Sequence, residues 1–225
     1  MIELAPVALL GGLFGLDVVC FPQMMFSRPL VAATVAGAFA GNTATGMFVG
    51  VAMELIALAT LPFGASRYPE WGSASVVGGA VAAALEPGRP GALTLGVLAG
   101  LATAWAGGLS LVQLRIWVAW LARRRRPALD AGSRGAVLSL QLAGLTGDLV
   151  RAAAVSALSY AMLFPVARAA QGVWTLSDSV SRSFVVSVAA AVAGTVAWTI
   201  FHSTRGARWY FAAGLLIAVL GLLVR

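Results

Sequence analysis

Long stretches of this chain carry no charge, and that property limits what it can fold into. No charged side chain occurs between Pro29 and Met53, Pro90 and Leu114, Ser183 and Phe201, or Trp209 and Val224. Each stretch is near or above the roughly 17–25 residues that cross about 30 Å of hydrocarbon as a helix. Shorter apolar runs cover Leu4–Leu16, Leu55–Ser66, Trp71–Leu85, Gly135–Gly147 and Ala152–Ala167. These read as spans carrying one polar residue, as half-helices or as re-entrant hairpins. Composition agrees: 60% of the 225 residues are hydrophobic and 10% charged, against roughly 45–50% and 25% in soluble domains. The expected fold is an all-α polytopic membrane protein of about seven apolar units, with discontinuous or re-entrant helices in the N-terminal part. A β-barrel is disfavoured, because the runs are long and rich in Ala, Leu, Val and Gly, without alternation.

The net charge of +7 does not point to nucleic acid. All fifteen basic residues are arginines, and four form Arg123-Arg124-Arg125-Arg126 directly after an apolar segment. No aromatic-rich basic surface or nucleic-acid motif accompanies them. The positive-inside rule places the 123–134 loop in the cytoplasm, where it also suits anionic lipid. Arg205 and Arg208 then fall on the same side, one hairpin later. Cys20 is the single cysteine, so an intrachain disulfide and a cysteine zinc cluster are both excluded. His202, the single histidine, sits beside Arg205 and Arg208 and reads as interfacial. The N-terminus lacks the basic region of a signal peptide, so the first apolar segment is expected to be retained.

These features predict one membrane domain over 1–225. Its 1–122 part is Gly/Pro-rich and suited to a transport core, 123–134 is the arginine-rich loop, and 135–225 reads as regular helices. Small-xxx-small pairs at Gly11/Gly15, Gly37/Gly41, Gly46/Gly50 and Gly96/Gly100 argue for close helix packing. Trp174, in a polar loop over 171–181, is a candidate interfacial anchor.

Gly41-Asn42-Thr43-Ala44-Thr45-Gly46 has the glycine spacing of a phosphate loop. Met47 and Phe48 then stand where lysine and a hydroxyl residue are required, so it is not a nucleotide site. Between two apolar runs it reads as a turn or a helix break lining a wet cavity. Glu54, among Met53, Leu55, Ile56 and Leu58, is a carboxylate inside an apolar run, which marks a functional site by default. The competing reading is a structural pair with Arg28 or Arg67. Asp148 and Arg151 are three residues apart on one helical face and read as a mutually neutralising pair. Arg115 is expected to snorkel toward the cytoplasmic surface. Asp17 reads equally as a cavity residue or an interfacial one, and Arg67–Trp71 as an interfacial loop or a gate. No catalytic array, metal cluster or cofactor motif is visible, so neither a catalytic role nor a cofactor or metal is expected.

Three segments in order resemble the IIC subunit of mannose/fructose/sorbose-type sugar phosphotransferase (PTS) permeases. They are Ser27-Arg28-Pro29-Leu30-Val31-Ala32-Ala33-Thr34, Gly41–Gly46, and Glu54-Leu55-Ile56-Ala57-Leu58, with weaker matches at Gly64-Ala65 and Pro69-Glu70. The resemblance covers about residues 11–85. It implies a multi-pass subunit of the bacterial inner (plasma) membrane that pairs with a IID membrane subunit and carries a hexose inward. Cytoplasmic IIA and IIB proteins relay phosphate to the sugar, and IIC itself accepts no phosphoryl group. A homo-oligomer is a further assembly open to it. By position, Glu54 matches the family's Glu-Leu-Ile-Ala-Leu-like glutamate, and Arg28-Pro29 its Arg-Pro pair.

The chain departs from sugar-carrying members at Phe21–Phe26, at Asn42 where they have aspartate, and at Ala59–Pro62. The first and last changes remove polar groups, and the second removes a charge. The candidate substrate-binding residues are Glu54, Asn42, Gln23, Arg28 and Asp17. Two alternatives stand beside the permease: a IIC-like scaffold that no longer moves sugar, and an unrelated small-solute transporter.

Overall fold

The computed structural model describes residues 4–18, 20–60 and 67–223. Among them lie nine helices and no strand: α1 Leu4–Asp17, α2 Pro29–Phe39, α3 Thr43–Ala57, α4 Trp71–Ala84, α5 Ala92–Arg124, α6 Arg126–Asp130, α7 Arg134–Gly172, α8 Asp178–Phe201 and α9 Ala207–Leu223. The weaker family match at Gly64-Ala65, and Leu61-Pro62 in the departing stretch, lie outside the described residues.

Length sorts these helices into two kinds. α5, α7 and α8 have 33, 39 and 24 residues and are long and apolar enough to cross a membrane. At 1.5 Å per residue they reach about 50, 58 and 36 Å. The four helices α1 to α4 have 14, 11, 15 and 14 residues. They reach only about 16–22 Å, short of a 30 Å core. The charge-free stretch from Pro29 to Met53 is therefore not one span but a helical hairpin. Its turn has a local cause. Gly41 adopts φ +84°, and the Asn42 and Gly41 amides donate to the carbonyls of Gly37 (2.9 Å) and Ala38 (3.1 Å), which closes α2 in a Schellman motif. Asn42 then caps α3 by accepting from the Thr45 amide at 3.1 Å.

Conversely, the apolar runs 135–147 and 152–167 are joined in α7, which passes through Asp148, Arg151 and Pro165 without a break. The polar residues that interrupt the hydropathy are turned inward and paired, so helix geometry is kept.

Antiparallel contacts fix the relative heights. Gly96 lies against Ala82, Gly100 against Ala74, and Gly108 against Tyr68, so α4 runs back along the first half of α5. Gly11 lies against Ser156 and Gly15 against Ala152, which sets α1 beside the second half of α7. α1 to α4 thus surround the same half of the long helices. That half carries Glu86 and Gln171, and the arginine-rich 123–134 loop lies at the other end. The four short helices thus occupy the half of the molecule away from that loop.

α4 is the centre of this half. Gly72 to Ala83 are all buried, as suits a helix that is apolar all round. Small residues allow the approach: a Cβ at Gly79 would stand 2.5 Å from the Ala33 carbonyl, and one at Gly46 2.7 Å from the Gly37 Cα. Gly41 is different in kind, since nothing lies near it and its role is the turn. α9 exposes nearly its whole apolar surface, including Trp209, Tyr210, Leu215 and Ile217.

Candidate functional site

Four of the eight acidic residues, Asp17, Glu54, Glu70 and Asp148, lie near the middle of the long helices, where the short ones end. α1 and α3 finish there; α2 and α4 begin there. Such ends expose unpaired backbone groups that lipid cannot satisfy, and Asp17, Glu54 and Glu70 answer that need by accepting from backbone amides.

Glu54 belongs to α3 but serves α2. Its Oε2 accepts from the Leu30 amide at 3.2 Å, and its carboxylate forms an ion pair with Arg28, the residue preceding Pro29 at the helix start. A carboxylate at a helix N-terminus also opposes the positive end of the helix dipole. Of the two partners open to Glu54 in the sequence, Arg28 is the one it meets. Asp17 is 2% exposed, and its two oxygens accept from the amides of Met24 (2.8 Å) and Ser27 (2.9 Å). It holds the 20–28 loop in shape, a loop in which Gln23 and Met25 adopt left-handed φ of 59° and 63°. A cavity of about 230 Å³ opens here, lined by Asp17, Gln23, Ser27, Arg28, Thr60 and Trp71 among others. Glu54 does not itself line it and stands behind Arg28.

Asn42 is elsewhere. Twelve residues along α3, about 18 Å from Glu54, it sits at the tip of the hairpin, away from the arginine-rich loop. Four of the five sequence candidates are therefore brought together and one is not.

A second polar cluster lies at the same depth, of which the sequence pointed only to the Asp148–Arg151 pair. Arg151 pairs with Asp148 (Nη2 to Oδ1 2.7 Å, Nε to Oδ1 2.8 Å) and donates to Ser110 Oγ at 3.0 Å. Cys20 donates to the other Asp148 oxygen at 3.0 Å. The spacing foretold the ion pair, but nothing in it pointed to Ser110 or Cys20. Glu70 is fully buried, caps α4 through the Ser73 amide at 3.0 Å, and keeps Oε2 without a hydrogen bond. The Arg67–Trp71 segment is thus not an interfacial loop, because it crosses α5 at its middle, with the Glu70 amide on the Ala104 carbonyl at 3.0 Å. Arg115 does not turn to the cytoplasmic surface either: it donates to the Tyr68 hydroxyl at 2.7 Å and lies over that ring. A buried phenol offers a better partner than a long reach to the headgroups. Among the described residues no group of three or more acidic, cysteine or histidine side chains stands ready for a metal.

Half-helices meeting inside a frame of long spanning helices define a polytopic membrane protein with a discontinuous-helix core, an arrangement that transporters use at the bilayer midplane. A solved structure described as that of a membrane protein shares the fold, with a TM-score of 0.70 over 98% of this chain and 94% of its own, at 17% identity. The family model described as the PTS system sorbose-specific IIC component matches residues 1–184. The chain belongs to that family. It is a membrane component of a PTS sugar permease and works with other components of that system. The match runs past the 11–85 region of the sequence resemblance, through α7 and into α8. No curated protein matches the chain by sequence.

Proposed function

We propose that the chain is the translocating IIC subunit of a bacterial inner-membrane permease and moves a hexose-type sugar inward. The whole chain acts as one membrane unit. A IID subunit completes the path, and IIA and IIB phosphorylate the sugar at the cytoplasmic end; a homo-oligomer of the assembled pair is compatible with the exposed apolar faces. The observation that carries this reading is the cavity at mid-depth, with Arg28 in its wall and Glu54 behind it. Paired charges at the broken ends of α2 and α3 offer both donors and acceptors to the hydroxyls of a neutral ring. At about 230 Å³, the cavity is below the roughly 300–1,000 Å³ of drug-sized ligand sites and suits a small solute. Gln23, Thr60 and Asp17 supply further polar edges.

A second reading, a IIC-like scaffold without transport, is favoured by one feature. Asp17 spends both oxygens on backbone amides, and Glu54 is committed to Arg28 and Leu30. Few groups are then left to converge on a sugar.

The test is phosphoenolpyruvate-dependent uptake of a panel of labelled sugars by the chain assembled with IID, IIA and IIB, beside Glu54→Gln. Uptake of one sugar that falls about tenfold or more in the variant, the scale of one charge-assisted hydrogen bond, supports the permease. Uptake unchanged by Glu54→Gln removes Glu54 from the path. A well-assembled complex that takes up no sugar supports the scaffold.

A further inference from the structure

A second built concavity lies at the outer end of the molecule. A cavity of about 490 Å³ separates the tip of the α2–α3 hairpin from the 85–90 loop and the first turn of α8. Its frame is held from beneath. Gln171, 4% exposed, accepts from the Glu86 amide at 3.1 Å and donates to the carbonyls of Glu86 (3.3 Å) and Arg89 (3.2 Å). Trp174 packs on Gly91 and donates to Ser181 Oγ at 3.1 Å, which anchors the start of α8 to the same frame. Walls fixed in this way need little ordering when a ligand binds.

The charges in the wall are matched in sign. Glu86 pairs with Arg89 at 3.0 Å, and Asp178 with Arg182 at 2.5 Å. An anion entering here meets two carboxylates, and a cation meets two guanidinium groups. A neutral ligand with adjacent hydroxyls meets acceptors and donors side by side. Across from these pairs, Asn42 lines the cavity with its Oδ1 committed to the Thr45 amide, which leaves its NH2 as the donor to offer. The Thr45 hydroxyl and the half-exposed Phe48 ring complete the hairpin side; an aromatic face suits the C–H face of a sugar.

We propose that this cavity is an outer binding subsite for an unphosphorylated monosaccharide, occupied before the sugar reaches mid-depth. The inference rests on the permease reading. It assigns Asn42, separated from the other candidate residues, to the ligand's first stop. One hairpin carries both sites, with Asn42 and Thr45 at its tip and Glu54 about 18 Å further along α3.

The experiment uses the assembled complex in right-side-out vesicles. Pro87, which lines the cavity, is replaced (Pro87→Cys) in a Cys20→Ser background and labelled with a membrane-impermeant maleimide from outside. Sorbose, fructose and mannose are the protecting probes, and inorganic phosphate is the comparison. At ten times its Kd, a bound sugar slows labelling about tenfold, and adding Arg182→Ala reduces that protection to about twofold at the same concentration. In uptake, Arg182→Ala raises KM about tenfold while kcat stays within about twofold. Labelling that none of the three sugars slows, in a complex that transports one of them, overturns the subsite. Protection by phosphate without protection by a sugar overturns it as well. If no sugar is taken up yet one still protects position 87, the permease reading fails and the subsite stands.

Discussion

The hairpin of α2 and α3 offers a quantitative test, because its two helices meet backbone to backbone. Alanine at Gly46 would put a Cβ 2.5 Å from the Ala33 carbonyl oxygen and 2.7 Å from the Gly37 Cα, where ordinary contact begins at 3.4 Å. The helices must therefore part by nearly an ångström, and no flexible side chain can yield instead. Overpacking costs about 1–3 kcal/mol, and a clash with backbone belongs at the upper end. Replacing glycine by alanine within a helix returns about 1 kcal/mol of intrinsic propensity. The net is a loss of about 2 kcal/mol, or a drop of roughly 4–8 °C in melting temperature for a chain of this size. Gly144 is the control, since it lies within α7 and a Cβ there would meet nothing within 4 Å. Gly144→Ala should therefore gain up to about 1 kcal/mol and melt about 2–4 °C higher. Thermal unfolding of both variants in one detergent, followed by size-exclusion, reads the pair directly. Gly46→Ala melting at or above the parent refutes the reasoning, whatever Gly144→Ala does.

Two further changes probe the mid-depth charges. Asp148→Leu strands Arg151, which is 8% exposed, and should cost about 3–5 kcal/mol, whereas Asp148→Leu combined with Arg151→Met should return most of it. Equal melting of the single and double variants contradicts that account. Glu70→Ala removes the cap of α4 and should cost about 1–2 kcal/mol, while Glu70→Gln keeps the Oε1 acceptor and melts close to the parent. A glutamine variant that falls as far as alanine counts against capping as the role of Glu70.

Hydropathy made the membrane class and the long C-terminal helices legible, because a span in lipid must be both apolar and continuous. It also flagged Glu54, since a carboxylate amid Met53, Leu55 and Ile56 needs a reason. The number and length of the N-terminal helices were less accessible. A charge-free run looks the same whether it crosses once or turns back at Gly41, and the turn is decided by one left-handed residue. Glu70 and Cys20 lay hidden for another reason. Their partners, Ala104 and Asp148, are distant in sequence, and neither residue interrupts an apolar run. Asn42 was grouped with Glu54 because both stand on polar breaks, and a sequence does not say which end of a hairpin a break occupies.

Glycine-lined contacts also shape how the half built from the four short helices can move. In lipid, apolar surface gains nothing from hiding from its surroundings, so these helices are held by dispersion at very short range. That attraction is steep: a gap of 0.5–1 Å forfeits about a quarter to a half of it. Glycine and alanine have no rotamers with which to follow a departing neighbour, so the loss is not softened by side chains swinging into the gap. A helix seated on Gly46 or Gly79 is therefore either in register or released. Rearrangement of the hairpin then proceeds as a step between two seated positions and not as gradual flexing.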